Sequence, residues 1–182
     1  ETTPSTEFED EDARIDAASF FTRAAGQTVE VDGRWNGTTL IADEAEKAQL
    51  LIRDKPIKWV TRIDHDFQVS VPYYVFSIVI GNLVRNACHY TDHGSIEVLV
   101  GKNRIQVIDT GIGMNEEQLG KVFELFYRGE SGNQSGKGIG MSLVKRFCDR
   151  FGWTITLDSE PGKGTVATVS LPEASIIERS SS

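Results

Sequence analysis

Asn82-Leu-Val-Arg-Asn86-Ala-Cys-His-Tyr90 closes a helical stretch whose two faces differ in chemistry, and its reading decides the fold. Upstream, Pro72 starts the helix, where its fixed φ is tolerated. Phe76, Val79, Ile80, Leu83 and Ala87 then recur at helical spacing and make one apolar face. Asn82, Asn86 and Tyr90 lie four apart and share a different face. Asparagine is a mediocre helix former, so two beside an apolar stripe are a costly accident unless they meet something. The plain alternative is a pair of solvated helix residues.

The flanking segments place this helix. Before it, Asp12–Ala25 has near-helical apolar spacing, a turn holds Gly33 and Gly37, and Thr39 caps a helix over 41–53 with Glu44 and Glu46 in its early turns. The stretch 57–63 is β-branched and aromatic and reads as a strand. After the helix, 95–100 and 104–108 read as two strands around Lys102-Asn103. Short helical turns follow over 116–126, then a polar, glycine-rich stretch to Lys137 that should be mobile. An amphipathic helix over 139–151 precedes a hairpin of 153–157 with 165–171 around Pro161-Gly-Lys-Gly164. Helices and strands mix without strict βαβ alternation. This order predicts an α+β two-layer sandwich, one mixed and mostly antiparallel sheet with helices on one face.

At 182 residues the chain suits one domain with a sizeable core, and 39% hydrophobic content is ordinary for a globular protein. Seven acids and one base in residues 1–16 carry −6 of the net −8, so the remainder is close to neutral and compatible with an anionic ligand. No basic stripe suggests nucleic acid. No apolar run approaches the ~18 residues needed to cross a membrane. Cys88 and Cys148 sit inside helical patterns and read as reduced, buried thiols.

Three further segments carry chemistry. Asp109-Thr-Gly-Ile-Gly-Met114 places a carboxylate at a strand end before a glycine turn, which by itself is equally an ordinary turn. Gly136-Lys-Gly-Ile-Gly-Met141 precedes a helix, whose unpaired N–H groups and dipole make an anion site, with Lys137 adding a cation. It is no Walker loop, because Gly132 and Gly136 are separated by three residues and Gly138 stands where Ser or Thr is required. No strand runs directly into it, so it is no dinucleotide fingerprint either. Phe123-Glu-Leu-Phe-Tyr-Arg-Gly129 supplies two phenylalanines at a spacing more often used for packing.

Taken in this order, the four segments resemble the ATP-binding domain of sensor histidine kinases, in the superfamily shared with gyrase, heat-shock chaperones and mismatch-repair ATPases. The resemblance runs from about Thr38 to Pro172. It implies that Asn86 holds Mg²⁺ through its amide oxygen, a hard ligand suited to that ion. It implies that Tyr90 packs on adenine and that Asp109 accepts its exocyclic N–H, with Gly111, Gly113 and Met114 admitting the base and ribose. The backbone of Gly138, Ile139, Gly140 and Met141, with Lys137, would take the phosphates. Phe123 and Phe126 would anchor a lid running to Lys137, Phe126 and Tyr127 would be among the residues that bind ATP, and Arg128 would reach the γ-phosphate or the acceptor. Thr165, in Gly162-Lys-Gly-Thr165, would support the adenine pocket.

Two positions refine this. Relatives that hydrolyse ATP carry a glutamate general base four residues before the metal-binding asparagine. Asn82 stands there instead and cannot take a proton, which favours a kinase over an ATPase. His89 occupies a place where the resemblance leads one to expect Lys or Arg. A histidine there is mostly neutral near pH 7, so it is either a pH-sensitive phosphate contact or a bystander to Arg85 or Lys137.

The only histidines are His65, His89 and His93, and none looks like a phosphoacceptor on a long dimerisation helix. The expected organisation is therefore an acidic linker and short helix over 1–30 at the end of a dimerisation region. An ATP-binding catalytic domain over 31–172 and a flexible tail over 173–182 follow. The resemblance implies a protein-histidine kinase whose partners are the phosphoacceptor domain of the same kinase and a downstream response regulator. Its parent would be dimeric and anchored in the cytoplasmic membrane, with this domain cytoplasmic and, as a fragment, monomeric. A nucleotide-dependent binding module without transfer activity and a serine kinase acting on a sigma-factor system are the alternatives. The complete phenylalanine segment and long lid argue against the latter.

Overall fold

The computed structural model describes residues 35–125, 127–128, 138–173 and 176–178. The helix expected in 12–25, the glycine turn at Gly33, and the stretch 129–137 lie outside them.

Five strands form the main sheet in the order β2-β4-β5-β7-β6, with β2 Ile57–Ile63, β4 Gly94–Val100, β5 Arg104–Asp109, β6 Thr154–Glu160 and β7 Gly164–Ser170. Only β2 and β4 pair in parallel; every other pair in it is antiparallel. Helices α1 (Gly37–Gln49), α2 (Tyr73–Tyr90) and α4 (Gly140–Phe151) pack as a second layer, and α3 (Glu116–Lys121) is short and has no buried residue. This is the two-layer α+β sandwich that the element order predicts.

The core lies between the layers. Phe76, Val79, Ile80 and Val84 of α2 are fully buried against Ile96 and Val98 of β4, Ile105 of β5 and Val144 of α4. Each such side chain contributes roughly 1.5–3 kcal/mol by leaving water. Because α2 packs against both α1 and α4, its apolar face is spent on the core and the Asn82–Asn86 side is left at the layer's surface.

Several boundaries differ from the sequence reading. Asn36 caps α1, accepting the Thr39 N–H at 2.8 Å, so the helix begins at Gly37 and Thr39 is inside it. Glu44 therefore lies beyond the first turn, and it is buried. Pro72 occupies the cap of α2 and not its first turn. A second sheet, unexpected from the sequence, orders β1 (Trp35–Asn36), β3 (Phe67–Val69) and β8 (Ile176–Glu178) with β3 central. Residues 176–178, in the tail expected to be loose, thus form a strand on the edge of β3 that β1 leaves open.

Candidate functional site

Helix α2 presents Asn82 and Asn86, both half-buried, one turn apart. The Asn82 Nδ2 donates to the Ile78 carbonyl at 2.8 Å, which turns its Oδ1 toward the start of α4. There a Cβ on Gly140 would lie 2.6 Å from that oxygen, so the two helices approach this closely only because residue 140 is glycine. The start of α4 has no side-chain cap on Ile139, and Gly138 before it has φ 70°. The Ser142 hydroxyl donates backward to the Ile139 carbonyl at 2.7 Å and caps nothing. Among the described residues no side chain caps the first N–H groups of α4, which lie beside Ile139, Gly140 and the partly buried Met141. The Asn86 amide has no hydrogen-bond partner among the described residues.

A second corner forms where β5 ends. Asp109 is buried, and its Oδ1 accepts the Gly111 N–H at 2.9 Å. Burial pushes its carboxyl above the usual range, opposed by the Gly111 and Thr165 backbone N–H groups and by the Thr91 hydroxyl. The last pull is the weakest, since the buried Thr91 Oγ1 reaches no hydrogen-bond geometry with a described residue. Thr165 faces Asp109 because β5 and β7 pair in that register. The loop 111–114 is clamped on both sides: Ile112 N–H donates to the Tyr90 carbonyl at 3.0 Å, and Gly162 N–H donates to the Ile112 carbonyl at 2.7 Å. The space that a Cβ at Gly111 or Gly113 would fill is taken by the Tyr90 and Glu160 carbonyls, and Gly113 has φ 67°. These glycines therefore serve protein packing as well as any ligand.

Tyr90 ends α2 and is 37% exposed. His89 beside it has its pKa lowered, first by burial and then by the Lys55 and Arg85 charges. Phe123 packs on the core. Tyr127 is half-buried, and Arg128 is exposed with no ion pair to the site among the described residues. Phe126 and Lys137 lie outside the described residues.

Four contributors were missed. Ser159 accepts the Met114 N–H at 2.8 Å and lies 2.9 Å from Thr165 Oγ1. Extending the hairpin past Leu157 would have paired it with Thr165, which was the available signal. Thr91 follows the helix and carried no mark of burial. Lys55 bonds the Cys88 and Thr91 carbonyls at 3.0 and 2.9 Å, holding the end of α2, and nothing in the sequence pairs it with residues so distant. Glu44, 2% exposed, accepts from Ser77 at 2.6 Å and Lys47 at 3.0 Å and lies 3.9 Å from Arg85, beneath the His89 side of α2. The thiols are inert packing groups, with burial pushing Cys88 up to about 11 and Cys148 up to about 12.

An open helix N-terminus against an asparagine-bearing helix, with a buried carboxylate at a strand end, is an arrangement that suits a phosphate-bearing ligand. Residues 75–175 match the family described as "Histidine kinase-, DNA gyrase B-, and HSP90-like ATPase", and the chain belongs to that family. It is similar to the sensor histidine kinase YxdK of Bacillus subtilis, 33% identical over 110 residues that cover 56% of this chain and 33% of the relative. The sensor-like histidine kinase SenX3 of Mycobacterium bovis is 28% identical over 142 residues, covering 74% and 35%. The chain thus spans about a third of the length of these curated relatives. Among solved structures, the catalytic domain of histidine kinase ThkA superposes with TM-score 0.65 at 25% identity, covering 76% of this chain and 95% of that one. Full-length ShkA in complex with AMPPNP superposes at 0.70 and 19% identity, covering 85% and 32%.

Proposed function

We propose that this domain binds Mg-ATP and donates the γ-phosphoryl group to a histidine on a separate phosphoacceptor domain. The observation that carries the reading is the contact of Asn82 with Gly140, which sets the asparagine face of α2 beside the uncapped start of α4. Phosphates would rest on the N–H groups of Gly140 and Met141. Adenine would sit against Tyr90 and Asp109, its exocyclic N–H donating to the carboxylate oxygen that Gly111 leaves free, with Thr165 in support. Arg128 would reach the γ-phosphate or the acceptor. The sensor-kinase relatives and the AMPPNP-bound neighbour support a nucleotide here.

The residues present fit Mg²⁺. Asn86 offers one half-buried amide oxygen that meets no hydrogen-bond partner among the described residues, which form no cluster of three or more His, Cys, Asp or Glu. That donor set suits an ion held mainly by phosphates and water. When bound, the ion would neutralise phosphate charge. The domain's own work is positioning. An acceptor imidazole nitrogen attacks the γ-phosphorus, the bond to the β-phosphate bridging oxygen breaks, ADP leaves, and the imidazole releases its proton as the phosphoramidate forms. Asn82 has no basic lone pair for activating water, which favours transfer over hydrolysis. Of the chain's own histidines, His65 lies between β2 and β3, His93 between α2 and β4, and His89 in the last turn of α2.

In the whole protein the acceptor would belong to a dimerisation domain of the same kinase, with a response regulator downstream. The parent would be anchored in the cytoplasmic membrane through segments other than those described, none of whose helices is long and apolar enough to cross one. Calorimetric titration of ATP with and without Mg²⁺ tests the binding step. Magnesium should tighten binding in the parent and do so markedly less in Asn86→Ala; an unchanged magnesium dependence in the variant removes Asn86 as ligand.

A further inference from the structure

Ser159 sits at the tip of the β6–β7 hairpin, away from the asparagine face of α2, yet every hydrogen-bonding valence it has is used. Its Oγ accepts the Met114 N–H at 2.8 Å, donates to the Gly164 carbonyl at 2.9 Å and lies 2.9 Å from Thr165 Oγ1. A hydroxyl has one proton and two lone pairs. With the proton on Gly164 and one lone pair filled by Met114, Thr165 must donate into the second. A ligand that takes the Thr165 proton instead empties that lone pair and leaves the Thr165 oxygen free to accept the Ser159 proton in competition with the Gly164 carbonyl. Occupancy beside Thr165 therefore changes the bonds of the atom that holds Met114.

We propose that Ser159 is a positioning residue, joining the Asp109–Thr165 corner to the Met114 amide so that a nucleotide in the corner orders α3. The inference rests on reading that corner as the adenine site. Helix α3 is six residues long with nothing buried, so its order depends on its ends more than on packing. Its cap is Asn115, the neighbour of Met114, whose side chain accepts the Gln118 N–H at 2.8 Å while Gln118 accepts the Asn115 N–H at 2.9 Å. A displacement at Met114 passes directly into that capping box. The hairpin supplies a frame, because the Gly162 N–H bonds Ile112 and Ser159 bonds Met114 on either side of Gly113, against which the Glu160 carbonyl packs.

Hydrogen exchange on the intact chain, with and without saturating Mg-ADP, tests this in the parent, Ser159→Ala and Ser159→Thr. In the parent, nucleotide should slow exchange across 114–121 by about 3–10-fold, the scale of one hydrogen bond. In Ser159→Ala that increment should vanish while nucleotide-dependent protection at 109–111 persists. Ser159→Thr, which keeps the hydroxyl, should restore it, as a general loss of packing would not allow. Should Ser159→Ala fail to fold by circular dichroism, Thr165→Val at saturation must lose the same increment. Full protection of 114–121 in either hydroxyl-free variant overturns the proposal, as does protection at 109–111 alone in the parent. Absence of any nucleotide effect in the parent overturns the adenine assignment itself.

Discussion

Replacing Asp109 by Asn alters one atom group in the buried corner and leaves its shape. In the parent, one carboxylate oxygen accepts the Gly111 N–H at 2.9 Å, the Thr165 N–H also stabilises the carboxylate, and in the proposed complex a remaining lone pair on the other oxygen takes the base. Asn keeps an oxygen for Gly111, so its NH₂ must face the adenine amino group, donor against donor. An unsatisfied buried polar pair costs about 1–3 kcal/mol. At ~1.4 kcal/mol per tenfold, ADP should bind roughly 5- to 150-fold more weakly. The fold should not suffer. Burial raises the Asp109 pKa, so the native state binds the proton more tightly than the unfolded chain does. Its ionised form therefore disfavours folding above the unfolded pKa, and that cost is relieved as pH falls; the neutral Asn carries none of it. Affinity runs the other way. Binding by the ionised parent weakens as pH drops through the raised pKa, and Asp109→Asn should lose that acid limb. Calorimetry with ADP and GDP from pH 4.5 to 8, beside thermal melts, measures both. Equal ADP affinity in parent and variant, with the acid limb intact, refutes the assignment.

Other perturbations probe the neighbouring elements. Burial, Lys55 and Arg85 lower the His89 pKa, so a phosphate nearby should raise it on binding and tighten binding as pH falls through the bound pKa, levelling only below the lowered pKa of the free protein, by on the order of 1 kcal/mol. Run with ADP to avoid γ-phosphate protonation, an identical profile in His89→Ala makes His89 a bystander. Gly140→Ala places a methyl 2.6 Å from Asn82 Oδ1 and should reduce ATP affinity, with partial recovery in the double variant Asn82→Ala/Gly140→Ala. No loss by calorimetry means that the two helices do not set the phosphate site. Glu44→Ala strands the Ser77 hydroxyl and should cost about 1–3 kcal/mol, discounted because Lys47 and Arg85 are partly solvated. An unchanged urea midpoint contradicts this.

Local pattern carried much of the fold. The apolar spacing of α2 and the β-branched runs of β2, β4 and β5 placed the layers, because periodicity directly reports which face is buried. Long-range pairing was less legible. The β1-β3-β8 sheet joins segments far apart in sequence, with strands of two or three residues, too short to show alternation. Asn82, Gly140 and Asp109 were readable because their motifs are local. Lys55, Glu44 and Ser159 act across 33 to 45 residues, and a lone polar residue does not advertise a distant partner. Thr39 is not the cap because Asn36, three residues earlier in a stretch that reads as a turn, plays that part and accepts the Thr39 N–H itself.

Incubation with γ-labelled ATP, Mg²⁺ and a dimerisation domain bearing the acceptor histidine bears most directly on the central claim. The account predicts acid-labile, base-stable label on that domain, little inorganic phosphate, and loss of both in Asn86→Ala. Nucleotide bound by the chain with no label on the acceptor, or label released chiefly as inorganic phosphate, would contradict it.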